Sequence, residues 1–168
     1  MELVVAQAVR RVGESFPFEL EETLAQQQYD RRTVGFSEPL HIRGQYSFDG
    51  KAYTVTAEAE TVLSSVCARC GKTFAEPFTF SFTERFVREG TEDEETYPYT
   101  GDRLDLSRAV MDNLFLQLPI VSVCRPDCKG LCPVCGNDLN ERACACSTEK
   151  KTSPFAALLP QIEENKEV

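Results

Sequence analysis

Eight cysteines are the feature that most constrains the fold of this chain of 168 residues. They form four pairs along the sequence, three of them close together and one far upstream. The pairs are Cys67 with Cys70, Cys124 with Cys128, Cys132 with Cys135, and Cys144 with Cys146. If all eight act in sets of four, the remote pair must join one pair of the cluster. The cysteines therefore constrain the tertiary structure as well as the chemistry.

The chain shows none of the features expected of an exported or membrane protein. Its first residues, MELVVAQAVRR, place an acidic residue second and a short apolar run before two arginines, which is the wrong order for a secretory signal. No apolar run approaches the roughly 18 residues of a transmembrane helix. We therefore expect a cytoplasmic protein. In that reducing compartment, eight cysteines favour metal binding over a disulfide framework.

The spacing of the cysteines suits zinc. Cys67–Cys70 and Cys132–Cys135 each have two residues between the cysteines and a glycine after the second, as in tight turns that point both sulfurs at one ion. Cys124–Cys128 and Cys144–Cys146 raise the total to eight thiolates, which suffices for two tetrahedral zinc ions. Iron–sulfur ligation is the alternative for four cysteines, but the paired turns favour zinc.

Three groupings of the pairs remain open. The favoured one joins Cys132 and Cys135 to Cys144 and Cys146, because closing so short a loop costs little entropy, and leaves Cys67 and Cys70 to Cys124 and Cys128. The second joins the two glycine-following turns, and the third joins the remote pair to Cys144 and Cys146. In every grouping a metal links distant parts of the chain.

We expect these sites to be structural. Four thiolates close the coordination shell of zinc, so such sites contribute folding free energy and perform no chemistry. A redox role for Cys67 and Cys70 would require an exposed thiol of low pKa, typically at the start of a helix, whereas this pair lies between two predicted strands. The sequence thus predicts two zinc ions and no catalytic residues.

Alternating apolar residues predict a β-meander of three strands. Residues 40–48 and 53–59 alternate on either side of an Asp49-Gly50 turn, which is typical of a hairpin. Phenylalanines at residues 78, 80, 82 and 86 continue the pattern in a third strand, so that residues 67–71 form the second turn. Earlier strands are expected at Leu3–Val9 and Phe16–Leu20, with a polar loop around residues 25–32.

A helix of about residues 105–118 follows, with apolar residues at steps of four, Asp105 as its N-cap and Pro119 after its end. The acidic run before it, residues 88–102, is expected to be a solvated loop. A short C-terminal helix is expected to begin at Ser153. The predicted fold class is α+β: an antiparallel β-meander with one amphipathic helix packed on it (residues 1–120) and a zinc-bound C-terminal segment (residues 121–168), integrated as one domain.

Four motifs in order resemble the YceD family: VCARCGKTF, DLSRAVMDNLFLQLP, CRPDCKGLCPVCGNDLNERACAC and SPFAALLPQI. The resemblance covers roughly residues 34–162. It implies a cytoplasmic, non-enzymatic role in the accumulation or processing of large-subunit ribosomal RNA. By position, the residues that match the family's motifs are Cys67, Arg69, Cys70, Gly130, Leu131, Cys132, Pro133, Cys135, Gly136, Asn140, Cys144 and Cys146.

Two mechanisms fit that role. In the first, the protein binds precursor ribosomal RNA through basic residues of the sheet face and the metal turn, with aromatic rings for stacking. In the second, the acidic surface of a chain with net charge −9 holds a basic ribosomal protein or assembly factor. The candidate RNA-binding residues are Arg31, Arg32, His41, Arg43, Gln45, Arg69 and Lys72. Arg69 could equally serve the backbone of the metal turn, and the short Arg31-Arg32 pair could be plain solvated surface.

Other function classes find less support. A zinc deaminase needs a His-x-Glu sequence, whereas the single histidine lies in His41-Ile42-Arg43. There is no phosphate-binding loop and no Ser/His/Asp set. A zinc-ribbon module for nucleic-acid binding or transcription remains an alternative, as does a protein-interaction adaptor, but the isoelectric point of about 4.7 and the lack of a basic helix weaken the former.

Overall fold

The computed structural model describes residues 1–29, 32–91 and 93–146. Within these residues, seven strands form one sheet, two short strands form another, and one α-helix follows them. The strands are β1 (Glu2–Val4), β2 (Ser15–Glu22), β3 (Gln27–Tyr29), β4 (Arg32–Phe36), β5 (Leu40–Phe48), β6 (Ala52–Val66), β7 (Thr73–Arg88), β8 (Thr96–Tyr99) and β9 (Arg103–Asp105). The helix α1 spans Ser107–Gln117, and a 3₁₀ turn spans Ala8–Arg10.

The predicted meander of β5, β6 and β7 is confirmed. β6 pairs with β7 along its whole length, and on its other edge with β5 and then with β4. The alternating apolar side chains of these strands point to one side, where Ile42, Val55, Ala59 and Phe86 are fully buried. β2 extends the sheet beyond β5. Alternation of side chains across the pleat thus places the core on one face and leaves the other face to solvent.

Helix α1 covers the apolar face of the sheet. Its Val110 and Leu114 are fully buried, and Gln117 Nε2 donates a 2.9 Å hydrogen bond to the carbonyl of Ser81 on β7. The helix begins at Ser107, slightly later than expected, so its N-cap is Leu106 and the prediction of Asp105 as N-cap was wrong. Asp105 Oδ1 still accepts a 2.9 Å hydrogen bond from the backbone N–H of Ser107. A mostly antiparallel sheet with one helix confirms the predicted α+β class for the described residues.

Three expectations for individual segments were wrong. The acidic run contains β8, which pairs in parallel with β7. Tyr97 of β8 packs on Phe86 and Tyr99 packs on Tyr53, with ring centroids 5.5 and 5.0 Å apart. The expected polar loop contains β3, paired with β4. The expected strand Leu3–Val9 is shorter, since only Glu2–Val4 pairs, with β9. The pairing of β1 with β9 and of β8 with β7 depends on tertiary contacts that the local sequence does not show.

The expected C-terminal helix lies outside the described residues, and the division at residue 120 stays a prediction. No helix in the described parts of the chain is long and apolar enough to cross a membrane. The long β6–β7 hairpin carries its turn, residues 67–72, well past the region that α1 covers. That turn meets the chain that follows α1, and this meeting point is where the cysteines lie.

Candidate metal centre

The first cysteine cluster joins the β6–β7 turn to the segment after α1. Cys67 and Cys70 come from the turn, and Cys124 and Cys128 come from the segment. All four Sγ atoms lie within 4.8 Å of one another. Cys67, Cys70 and Cys128 are buried, with exposed fractions of 1%, 6% and 4%. We call this set site 1.

The sulfur distances in site 1 suit a tetrahedral metal rather than a disulfide. The Sγ atoms of Cys67 and Cys128 are 3.9 Å apart, and those of Cys70 and Cys124 are 3.8 Å apart. A tetrahedron with metal–sulfur bonds of about 2.3 Å has edges of about 3.8 Å. A disulfide would need about 2.05 Å, and all eight cysteines are free. The donor set and its spacing therefore fit an ion such as zinc.

The second cluster, site 2, lies entirely within the C-terminal part of the described chain. It consists of Cys132, Cys135, Cys144 and Cys146, whose Sγ atoms also lie within 4.8 Å of one another. Cys135 is exposed and only Cys132 is buried, so site 2 is more open to solvent than site 1. These two sets are the first of the three groupings that the sequence left open.

The same turn builds both sites. In site 1 the N–H of Cys67 donates to the carbonyl of Lys72, and the N–H of Gly71 donates to the carbonyl of Cys67, each at 2.9 Å. In site 2 the N–H of Cys132 donates to the carbonyl of Asn137, and the N–H of Gly136 donates to the carbonyl of Cys132, each at 2.8 Å. Gly71 and Gly136 have φ angles of 71° and 72°, as the glycine after each second cysteine predicted.

The electrostatics of both sites call for a cation. Backbone hydrogen bonds, chiefly from Cys124, lower the pKa of Cys67 to about 6, and backbone hydrogen bonds from Cys135 and Val134 lower the pKa of Cys132 to about 6. Burial, followed by hydrogen bonding to Cys67, raises the pKa of Cys124 to about 12. Each site thus stabilises one thiolate. Several neighbouring thiolates repel one another, so a positive ion would be needed to hold four of them together.

Arg69 connects the two sites. Its carbonyl accepts a 3.0 Å hydrogen bond from the N–H of Leu131, the residue just before site 2. Its guanidinium donates 3.0 Å hydrogen bonds from Nη1 to the carbonyls of Pro126 and Cys128. A Cβ on Gly130 would lie 2.9 Å from the Arg69 carbonyl oxygen, so glycine lets the two backbones approach here. The structure therefore gives Arg69 the backbone-bonding role that the sequence left as one of two possibilities.

Lys72 forms a second connection. Its Nζ lies 2.8 Å from Asp138 and 2.6 Å from Glu141, both in the chain between the cysteine pairs of site 2. The close contact with the Lys72 ammonium is the main reason that the pKa of Asp138 is lowered to about 2. Asn140 adds a hydrogen bond from Nδ2 to Cys128 Sγ, 3.5 Å away. Sequence reasoning missed Asp138, because no local pattern pairs it with a lysine in a distant turn.

We predict that Lys72→Met lowers the melting temperature by no more than a few degrees, because Lys72 is half exposed and solvent screens its ion pairs. In a chain that already carries Lys72→Met, Asp138→Asn should lower the melting temperature little further, since the two residues share one interaction. Thermal unfolding of both single variants and the double variant measures this. Glu141→Gln is the control. Glu141 is the more exposed partner of Lys72, so this substitution should lower the melting temperature less than Asp138→Asn does. Fully additive losses for Lys72→Met and Asp138→Asn would contradict the connection.

Of the other candidate RNA-binding residues, His41 and Arg43 lie among carboxylates, and the side chains of Arg31 and Arg32 are not described. His41, Arg43 and Gln45 lie on the open face of the sheet, as alternation predicted. Arg43 lies 2.8 Å from Glu19 and 3.7 Å from Glu60, and His41 lies 3.5 Å from Glu21. Hydrogen bonding to Glu19 raises the pKa of Arg43. Arg31 lies outside the described residues, and Arg32 begins β4, where only its backbone is described.

A comparison with known families identifies one match. The model described as "Large ribosomal RNA subunit accumulation protein YceD" matches residues 55–159, more than half of the chain. The matched range contains most of β6, all of β7 and α1, and all eight cysteines. It begins inside the meander and runs beyond the last cysteine of site 2. Both sites therefore belong to the part of the chain that the family model covers.

Individual proteins are also similar to this chain. An uncharacterized protein of Mycobacterium tuberculosis is 36% identical over 103 residues, which are 58% of this chain and 49% of the relative. The chloroplastic large ribosomal RNA subunit accumulation protein YCED homolog 1 of Arabidopsis thaliana is 28% identical over 130 residues, covering 58% of this chain and 40% of the relative. The chain thus spans half or less of the length of these curated relatives. No solved structure matches it significantly.

Proposed function

Because the chain belongs to the YceD family, we propose that it supports the accumulation of large-subunit ribosomal RNA. We propose further that it acts by binding and not by catalysis, that its partner is a basic ribosomal protein or assembly factor, and that sites 1 and 2 hold structural zinc ions. The named relative is a ribosomal RNA accumulation protein, which supports the ribosome-related role.

The proposal of a basic protein partner depends on the glutamates of the open face of the sheet. Strand register places Glu19 opposite Arg43 and Arg43 opposite Glu58, while Glu21, His41 and Glu60 form the next row. Four glutamates thus surround one arginine and one histidine. The side chains of Glu19, Glu21 and Glu60 are 64%, 64% and 58% exposed, so they present their charge to solvent. We call this set of four glutamates the acidic face.

The acidic face disfavours direct contact with a phosphate backbone. Nucleic-acid binding depends on cations that neutralise phosphates, and here the cation at the centre is already paired with carboxylates. Lys72 and Arg69, the other described candidates, are engaged by Asp138 and by backbone carbonyls. A lysine- or arginine-rich protein segment is the complementary ligand, since opposite charges steer association and favour the correct partner. The effect on ribosomal RNA would then be indirect.

Binding to separated components of the large ribosomal subunit tests this proposal. The immobilised full chain is offered total large-subunit protein freed of RNA by nuclease treatment, and separately deproteinised large-subunit ribosomal RNA. We expect retention of basic proteins that weakens with salt, and little retention of RNA. The triple variant Glu19→Gln, Glu58→Gln, Glu60→Gln should reduce protein retention by roughly tenfold, because it removes three of the four charges of the acidic face.

A matched triple variant controls for net charge. Glu89→Gln, Glu94→Gln, Glu95→Gln removes the same formal charge from exposed residues after β7, away from the acidic face. It should leave protein retention nearly unchanged. Equal losses for the two triple variants would mean that only net charge matters and would contradict a specific face. Strong retention of protein-free RNA, unaffected by the face variant, would overturn the choice of a protein partner.

A further inference from the structure

An uncharged groove lies beside site 1, at the end of the sheet that α1 does not cover. It has a volume of about 510 Å³ and lies between β4, the end of β6 and the chain that follows α1. Its walls are mainly apolar, and its lining includes Val34, Leu63, Val66, Leu118 and Val121, with no charged side chain. Val66 and Val121 are 62% and 63% exposed. Proteins seldom expose neighbouring apolar side chains of this size to solvent unless another segment or a partner packs on them.

The groove forms where β4 and β6 separate. β4 pairs with β6 only at Gly35–Ser64 and Phe36–Leu63, and then leaves β6 to pair with β3. The continuing end of β6, residues 65 and 66, therefore forms one wall of the gap. Such pockets of about 300–1,000 Å³ accommodate small ligands, so this one is wide enough for a few apolar side chains.

We propose that the groove binds the chain's own C-terminal segment, SPFAALLPQI, residues 153–162. This segment contains Phe155, Leu158, Leu159 and Ile162 and has no charged residue, whereas the sequences on either side of it, EKK and EEN, are charged. An uncharged apolar segment matches an uncharged apolar groove, since burying both apolar surfaces is favourable.

The position of the last described residue supports this occupant. Cys146 belongs to site 2, and site 2 adjoins the groove because the N–H of Leu131 bonds to Arg69, the neighbour of the groove residue Ala68. The residues from Cys146 to Phe155 can span up to roughly 30 Å when extended, so the segment can reach the groove without strain. The family match extends to residue 159 and so includes both the groove-lining end of β6 and most of the segment.

Photo-crosslinking in the full chain tests the proposal. A benzophenone amino acid replaces Val121 in the groove or, as a control, Val12, which is similarly exposed at 57% but lies beside Gly50 at the opposite end of β6. After irradiation and trypsin digestion, the segment is released as the peptide of residues 152–166. We expect an intramolecular crosslink from position 121 to this peptide, and none from position 12.

A second variant separates docking from chance proximity. Leu158→Asp with Leu159→Asp in the same full chain should abolish the crosslink from position 121 while leaving the metal content unchanged, because neither residue is a cysteine ligand. A crosslink that joins two chains would assign the groove to a second copy and overturn the proposal. A missing crosslink in the parent chain, or one that survives both aspartates, would overturn it as well.

Discussion

Replacing Cys67 by serine is expected to lower the melting temperature by about 10 °C or more and to remove metal from site 1. Cys67 is 1% exposed and closes the turn of the longest hairpin, so its loss opens the link between that hairpin and the segment after α1. Serine retains the size of the side chain but binds zinc poorly, because the thiolate is the ligand. Site 2 should also weaken, since Arg69 in the same turn holds Leu131.

Cys146→Ser is the matched control. It removes one ligand from site 2, which is more exposed and lies at the end of the described chain. We expect the loss of one metal ion and a clearly smaller fall in melting temperature, because the sheet and α1 do not depend on site 2. Metal analysis of each purified variant, together with thermal unfolding followed by circular dichroism, makes the comparison. We expect close to two zinc ions in the parent chain. A parent chain with one or none, or equal destabilisation by the two variants, would contradict this account.

Gly44→Ala should destabilise the protein by about 3 kcal/mol or more, although the substitution adds a single methyl group. A Cβ at Gly44 would lie 2.3 Å from the carbonyl oxygen of Thr56 and 2.6 Å from Cβ of Ala57, both on the neighbouring β6. β5 cannot move away, because β2 pairs with it on its other edge. The strands would have to separate and break backbone hydrogen bonds.

Gly35→Ala provides the comparison within the same sheet. Its Cβ would lie 3.2 Å from Cβ of Ser64, a contact that a small shift of the short strand β4 relieves. We expect a loss of about 1 kcal/mol or less, measured by denaturant unfolding of both variants. Similar losses at the two glycines would show that the intrinsic strand preference of alanine, and not the close approach at Gly44, sets the effect.

The candidate metal sites and the proposed surfaces are expected to have different roles in this protein. Sites 1 and 2 bring the β6–β7 turn, the segment after α1 and the C-terminal part of the described chain together. The acidic face lies on the open side of the sheet, and the groove lies beside site 1. A variant that loses metal is therefore expected to lose binding indirectly, whereas the acidic-face variant should retain its metal. Measuring metal content alongside binding distinguishes these two causes.

Sequence patterns alone determined the strands of the meander and the helix α1. The alternation of Leu40, Ile42, Tyr46 and Phe48 predicted the first strand of the meander, and the apolar steps of four predicted α1, because each pattern depends only on residues that are neighbours along the chain. The glycine after each Cys-x-x-Cys pair likewise predicted the positive φ that the structure shows. Eight cysteines in pairs predicted two sets of four, although whether they bind zinc stays a prediction.

Only the tertiary structure decided which cysteine pairs meet and what surrounds the basic residues. Local spacing favoured one grouping, but the sulfurs of site 1 meet because the β6–β7 turn reaches the chain beyond α1. Arg43 resembled an RNA contact in the sequence, whereas the register of β2 and β6 places glutamates on both sides of it. The sequence did not predict β8 either, because the pairing of β8 with β7 is a tertiary contact. Strand register and long-range packing set these contacts, and they join residues that no local pattern connects.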